Sequence, residues 1–138
     1  MFNRILIAYD GSEPADKAFD YAVDLAAKYQ ASLEVLAIAR PPDFAEDVET
    51  EALLEKTQEH FQDQFAQLRA RAARGGVTPE FNVVVGHPAE QIVKEAEQKA
   101  IDLIVVGHRG KGLFERWLLG SVARVVIAYA HCAVMVVR

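Results

Sequence analysis

Cysteine is almost absent from this sequence, since Cys132 is the only one in 138 residues. One cysteine cannot form an intramolecular disulfide, which excludes a small fold held together by disulfides and agrees with a reducing compartment. The sequence also contains no run of eighteen apolar residues and no basic leader with a cleavage site. We therefore expect a cytoplasmic protein that does not insert into a membrane.

Basic residues are in the minority, with 15 Lys and Arg against 20 Asp and Glu, for a net charge of −5. A protein that binds nucleic acid needs a basic surface to neutralise phosphate, so we expect no nucleic-acid partner. Apolar residues make up 51% of the chain and charged residues 25%, which is ordinary for a globular domain. The length suits one domain, which we place over residues 1–138.

Groupings of residues that would indicate a metal site or a catalytic nucleophile are also missing. His60, His87 and His131 show no metal-ligand spacing with one another or with paired carboxylates. Cys132 opens a predicted strand and has no evident base beside it, so it is expected to behave as a small hydrophobic residue. We predict no metal ligands and no catalytic residues.

Five apolar runs alternate with helical patterns along the whole chain. The runs cover residues 5–9, 33–39, 81–85, 101–106 and 134–137. Most are nearly continuous rather than alternating, which indicates strands buried on both faces of a parallel sheet. Four amphipathic patterns between them indicate helices, and the apolar residues of the last are Val122, Val125, Val126 and Tyr129. The predicted fold is α/β, a doubly wound five-stranded parallel sheet with helices on both faces.

A glycine-rich segment follows the fourth predicted strand. Gly107, Gly110 and Gly120 are spaced as G-x2-G-x9-G, and Ser121 comes directly after the last glycine at the start of a predicted helix. Glycine lets a ligand approach the main chain, and a helix N-terminus offers unpaired N–H groups and the positive end of a dipole. This combination favours phosphate binding. The spacing matches neither a Walker A loop nor the dinucleotide fingerprint G-x-G-x-x-G.

Unusual residues also stand at the ends of other predicted strands. Residues 10–12, Asp-Gly-Ser, follow the first strand, and residues 86–88, Gly-His-Pro, follow the third. In an open α/β sheet, ligands bind outside the carboxyl ends of the strands, at the point where the strand order reverses. We therefore expect these loops and the glycine-rich segment to converge on one crevice.

Asp10 has two interpretations that the residues alone leave open. A carboxylate beside a nucleotide would meet ribose hydroxyls or a divalent ion, because it would repel phosphate. Alternatively, Asp10 begins a turn or caps the first helix, where Asp, Gly and Ser are all favoured. Ser12 is the better candidate for the helix cap.

The glycine motif, with Ser121 after it, resembles the nucleotide-binding motif of the universal stress protein family. Residues 4–13, RILIAYDGSE, resemble the opening strand and acidic turn of that family, and residues 132–138, CAVMVVR, resemble its closing strand. The resemblance extends over essentially the whole chain and is to the ATP-binding subgroup. It implies the fold shared with adenine nucleotide alpha hydrolase-like proteins and an adenine nucleotide as ligand.

The resemblance also implies which residues contact the nucleotide. Ala8, Ile38 and Val106 match the apolar strand ends that hold adenine, although Ala8 stands where the family often has proline. The positions that match the phosphate and ribose contacts are Gly107, Gly110, Gly120, Ser121 and Val122. With the resemblance, Asp10 becomes a nucleotide contact.

Cations in the glycine-rich segment are suited to phosphate. Arg109 is the predicted contact, and Lys111 adds charge beside it. The structural alternative is that both are simply solvated loop residues. His108 could touch phosphate, but we expect a histidine in such a loop to be exposed.

The function that the resemblance implies is that of a regulator or adaptor in the stress response, controlled by ATP, ADP or AMP with or without Mg²⁺. It also implies a homodimer through the last strand, where Val134 and Val136 would lie at an uncovered edge, and a regulatory protein partner of unknown identity. A slow ATPase or nucleotidyl-transferring enzyme of the same fold is the alternative. A scaffold that has lost its nucleotide is a third, which the intact glycines and serine disfavour.

Overall fold

A computed structural model of the chain describes residues 1–40, 47–108 and 120–138, with the backbone alone described for residues 47–50. Strands and helices alternate along the described residues. In chain order they are β1 Arg4–Ala8, α1 Glu13–Tyr29, β2 Ser32–Ala39, α2 Asp47–Arg74, β3 Glu80–Val85, α3 Pro88–Gln98, β4 Leu103–Gly107, α4 Ser121–Tyr129 and β5 Ala133–Val137. Each strand lies within two residues of its predicted bounds.

The five strands form one sheet in the order β3-β2-β1-β4-β5, and every neighbouring pair is parallel. The chain moves outward in one direction from β1 to β3 and then returns to the other side of β1 with β4. The strand order therefore reverses between β1 and β4, which is where α/β folds of this type bind ligands. The predicted doubly wound parallel sheet is confirmed.

The central strands are apolar on both faces because each face is covered by helices. Ile5 and Ile7 of β1 belong to one buried cluster together with residues of α1 and α2. Leu6 points the opposite way and belongs to a second cluster together with residues of α3 and α4. A strand buried on both faces has no solvent side for polar residues, which explains its continuous apolar sequence.

Helix α1 begins with the predicted cap. Ser12 has extended backbone angles, and its side-chain oxygen accepts a hydrogen bond from the backbone N–H of Ala15 at 3.3 Å. Pro14 lies in the first turn, where its missing N–H costs nothing, and Glu13 complements the helix dipole. The cap confirms the prediction for Ser12 and places the start of α1 directly after β1.

Helix α4 turns a different face to the core than its apolar pattern predicts. Ala123 and Val126 are buried, whereas Val125 is 41% exposed and Tyr129 is 67% exposed. The apolar pattern located the helix correctly, but two of its residues, Val125 and Tyr129, lie outside the core. The helix lies beside β5, which is at the edge of the described sheet and pairs only with β4. A helix at the edge of a sheet buries fewer of its residues than a helix over the centre.

Candidate functional site

A cavity of about 340 Å³ lies at the carboxyl ends of β1 and β4, at the reversal of strand order. One part of its lining is apolar and consists of Ala8, Ile38, Ile92, Val106 and Val122. Another part carries polar side chains or bare backbone and consists of Asp10, Ser12, Gly107, Gly120 and Ser121. The cavity therefore combines a dry wall with a wall of hydrogen-bonding groups, as small-molecule sites do.

The structure brings together most of the predicted site residues. Eight of them line this cavity, namely Ala8, Asp10, Ile38, Val106, Gly107, Gly120, Ser121 and Val122. The remaining two, Arg109 and Gly110, lie outside the described residues. That all of these residues contact a nucleotide remains a prediction, which their common position supports.

The loop between β1 and α1 is shaped by Asp10. Its Oδ1 atom accepts hydrogen bonds from the backbone N–H of Ser12 at 3.0 Å and from the Ser12 hydroxyl at 2.5 Å. Gly11 between them has φ +81°, a left-handed conformation that favours glycine. Asp10 therefore does build the turn, as one of its two interpretations proposed. It also lines the cavity, so the structure leaves the nucleotide contact as a second role for the same carboxylate.

Gly107, at the end of β4, has a packing role that the motif did not reveal. A β-carbon there would lie 2.7 Å from the carbonyl carbon of Pro14 and 2.9 Å from the backbone nitrogen of Ala15. No real β-carbon approaches backbone atoms so closely, so only glycine allows the first turn of α1 to rest on the end of β4. This contact places the start of α1 beside the end of β4.

His108 does not behave as an exposed loop residue. It is only 5% exposed, and its backbone N–H donates a 2.6 Å hydrogen bond to the carbonyl of Val137. The expectation of an exposed histidine is therefore wrong. The reason is that His108 continues the pairing of β4 with β5 one residue beyond the strand, and it remains within the protein interior there.

The amino end of α4 closes the cavity on the side of β4. Gly120 is the N-cap residue of α4. Because glycine has no side chain, the cap residue does not hydrogen-bond to the backbone N–H groups of the first turn. Ser121 is exposed and is the first residue of the helix. A helix start of this kind is suited to an anion.

Several lining residues were not predicted from the sequence, among them Tyr9, Arg40 and Phe61. Arg40 directly follows β2, so the rule that sites form at carboxyl strand ends would have found it. Phe61 belongs to α2 and nothing in its local sequence separates it from an ordinary core residue. Only the packing of α2 over the sheet places it beside the cavity.

Tyr9 is held by a polar network that ties α2 to α1. Its hydroxyl donates a 2.8 Å hydrogen bond to Asp16, and Arg71 of α2 forms ion pairs with both Asp16 and Asp20. Burial raises the pKa of Tyr9, and the hydrogen bond and charge of Asp16 raise it further. The phenol therefore stays neutral at physiological pH and positions the wall of the cavity without supplying a charge.

Two further properties concern the described part of the chain alone. No group of three or more His, Cys, Asp or Glu side chains within it could hold a metal ion. None of its helices combines the length and the apolar character that crossing a membrane requires.

Comparison with known families and proteins gives a consistent result. The profile of the universal stress protein family matches residues 1–138. The universal stress protein YxiE of Bacillus subtilis is 36% identical over 153 residues, and the alignment covers all of both chains.

Solved structures of similar proteins share the fold. The universal stress protein UspA from Lactobacillus plantarum superimposes with a TM-score of 0.89 at 29% identity, over 99% of this chain and 98% of that one. A universal stress protein in complex with cAMP superimposes with a TM-score of 0.76 at 26% identity, over 99% of this chain and 97% of that one.

Proposed function

Because this chain belongs to the universal stress protein family, we propose that it binds ATP, or the related ADP or AMP, between β1 and β4. In this proposal it acts as a nucleotide-dependent regulator or adaptor in the stress response. One observation carries the proposal: the cavity at the reversal of strand order is lined by eight of the ten residues that the family resemblance implied as nucleotide contacts. A structural relative that is described as a complex with cAMP supports the same class of ligand.

The apolar wall suits an adenine ring. Ala8, Ile38 and Val106 stand at the carboxyl ends of three adjacent strands, β1, β2 and β4, and give this part of the cavity an apolar lining. Val122 of α4 lies on the same cavity. If an adenine ring is buried here, its two faces are removed from water, which favours binding. The nitrogen atoms at its edge can still form hydrogen bonds with the backbone.

The polar wall suits ribose and phosphate. Gly120 and Ser121 offer the N-terminus of α4 to an anion, and the predicted contacts Arg109 and Gly110 belong to the segment that joins β4 to this helix. Asp10 belongs to the same polar wall, and its carboxylate would meet ribose hydroxyls or a Mg²⁺ ion shared with phosphate.

A slow ATPase or nucleotidyl-transferring activity is the second candidate function, and Asp10 is the observation that favours it. Among the described residues that line the cavity, Asp10 is the one carboxylate, so it would have to orient water or a metal ion. Its Oδ1 atom is already committed to two hydrogen bonds within the turn. A regulator that binds the nucleotide without converting it therefore agrees better with the geometry.

The proposal includes a homodimer and a cytoplasmic location. Strand β5 pairs with β4 on one side only in the described sheet, and a second copy could pair antiparallel along its other side. A chain with a single cysteine has the composition expected of a cytoplasmic protein.

The proposal is tested by the nucleotide content of the protein. We expect gentle purification, carried out with and without Mg²⁺, to yield protein from which mass spectrometry identifies a released adenine nucleotide. Calorimetry with the emptied protein should then measure ATP binding, and incubation with ATP over time should yield no ADP. Timed conversion of ATP by the purified protein would instead support the enzyme.

A matched pair of variants locates the site. Ile38→Trp fills the apolar wall and should abolish binding, whereas Leu53→Trp adds the same bulk at an exposed position of α2 outside the cavity and should leave affinity unchanged. Normal ATP affinity in a folded Ile38→Trp protein would reject this cavity as the nucleotide site.

A further inference from the structure

A buried carboxylate lies near the start of β2, far from the cavity described above. The Glu34 side chain is only 5% exposed, although its neighbours along the strand are apolar. Its Oε1 atom accepts a hydrogen bond from the Asn82 amide at 2.9 Å and forms an ion pair with the Lys99 amine at 2.9 Å. Its Oε2 atom is buried and has no hydrogen-bond partner among the described residues. Leaving a charged oxygen buried without a donor is costly, so this atom requires an explanation.

A second carboxyl group shares the Lys99 amine with Glu34. Glu95 of α3 is 14% exposed, and its Oε1 atom is 4.0 Å from the Lys99 Nζ atom, which lies 2.9 Å from Oε1 of Glu34. Two ionised carboxylates held on one amine cannot donate to each other, and their charges repel. One proton held between them removes the repulsion and gives the unpartnered oxygen its missing donor.

We propose that Glu34 and Glu95 form a proton-binding site that fastens the C-terminal part of α3 to the start of β2. The protonated Glu95 carboxyl donates to Oε2 of Glu34, while Lys99 and Asn82 satisfy the other Glu34 oxygen. The ligand of this site is the proton itself, since the orphaned oxygen is closed off from solvent. Neither the glycine motif nor the nucleotide cavity has any part in it.

The charged side chains that face the pair are Lys99 and Glu80. Lys99 follows α3 and is the cation nearest to the pair, with its amine 4.0 Å from Glu95. Glu80 of β3 pairs with Glu34 in the strand register and lies 3.4 Å from the Lys99 amine. On β1, the register partner of Glu34 is the apolar Leu6, and Arg4 donates to the carbonyl of Lys99 rather than to either carboxylate. Counting Glu34, Glu80 and Glu95 against Lys99, the cluster has more negative than positive groups, which favours uptake of a proton.

The direction of titration agrees with this geometry. Burial raises the pKa of the Glu95 carboxyl, and hydrogen bonding with Glu34 and the charges of Glu34 and Glu80 raise it further. The charge of Lys99 opposes these effects. A carboxyl group with a raised pKa in the folded protein contributes stability that is fully present below its unfolded pKa. That stability is lost as the pH rises through the folded pKa.

The test compares wild type with Glu95→Gln over a range from about pH 5 to about pH 8, where an ordinary glutamate is already ionised. A glutamine amide donates to Glu34 at every pH, so it replaces the shared proton permanently. We expect the urea midpoint of Glu95→Gln to exceed that of wild type at the alkaline end, with the difference shrinking toward the acid end. Glu90→Gln, an exposed change in the first turn of the same helix, should not show this pattern.

A direct titration keeps the proposal testable if the variant does not fold. Carboxyl carbon NMR shifts of the wild-type protein should report a Glu95 pKa above that of an unfolded glutamate. A Glu95 that titrates like an ordinary exposed glutamate would overturn the proposal. So would a midpoint difference between Glu95→Gln and wild type that stays constant across the pH range.

Discussion

Pro14 and Gly107 are in direct backbone contact, although 93 positions separate them in the chain. A β-carbon on Gly107 would stand 2.7 Å from the Pro14 carbonyl carbon and 2.8 Å from its oxygen. Pro14 belongs to the first turn of α1 and Gly107 ends β4. This contact fixes the distance between the start of α1 and the end of β4 on the candidate site, so the glycine shapes the site whether or not it also touches a ligand.

We expect Gly107→Ala to destabilise the fold by about 1–3 kcal/mol, because the added methyl group forces α1 away from β4. Urea denaturation measures the loss. The control is Gly75→Ala, where the nearest atom to a new β-carbon is a side-chain methyl of Val23 at 3.1 Å rather than backbone. A Gly107→Ala protein as stable as wild type would show that the contact with Pro14 is unimportant.

Two substitutions of Asp10 should distinguish its role in the turn from its proposed contact with the nucleotide. Asp10→Ala removes both hydrogen bonds of the turn and should lower stability by about 1–2 kcal/mol, together with nucleotide affinity. Asp10→Asn keeps an oxygen acceptor for Ser12 and removes only the charge. It should retain stability while ATP affinity falls by about 1–3 kcal/mol. Thermal melting and calorimetry measure the two effects.

The affinity of Asp10→Asn for ATP can contradict the proposed nucleotide contact. If Asp10→Asn binds ATP as well as wild type, with and without Mg²⁺, the carboxylate has no contact with the nucleotide. Asp10 would then be a structural residue of the turn alone.

Strand β5 should form the interface of the proposed homodimer. Val136→Pro removes a backbone donor and places a ring where a partner strand would pair, so light scattering should find a monomer, or aggregates if the edge is left exposed. Ala133→Pro is the control, because the first residue of a strand tolerates proline. An intact dimer of folded Val136→Pro protein would move the interface elsewhere, and the exposed Val125 and Tyr129 of α4 would become the first candidates.

The sequence predicted the sheet well because the central strands are buried on both faces. Continuous apolar runs such as that of β1 have few alternative interpretations, and the glycine motif located one side of the cavity. Predictions were weaker where tertiary packing decides. Ile101 is apolar and buried but precedes β4, and Val125 follows a helical pattern yet faces outward because α4 lies near the edge of the sheet.

The carboxyl pair was beyond sequence analysis for a related reason. Glu34 appears as one charged residue within an apolar strand, and Glu95 as one of several acidic residues on an amphipathic helix. Nothing local indicates that residues 61 positions apart share a buried site. Their meeting depends on how α3 lies across the sheet, which only the packed structure specifies.

The uniform direction of the strands has a consequence for the proposed dimer. All five carboxyl ends lie at one end of the described sheet, so the candidate cavity opens at that end of each copy. If two copies of β5 pair antiparallel, the strands of the two subunits run in opposite directions. Their candidate cavities then open at opposite ends of the dimer. Such a dimer is bivalent. It would present two separate nucleotide-bearing surfaces that face away from each other, a shape suited to bridging two partner molecules.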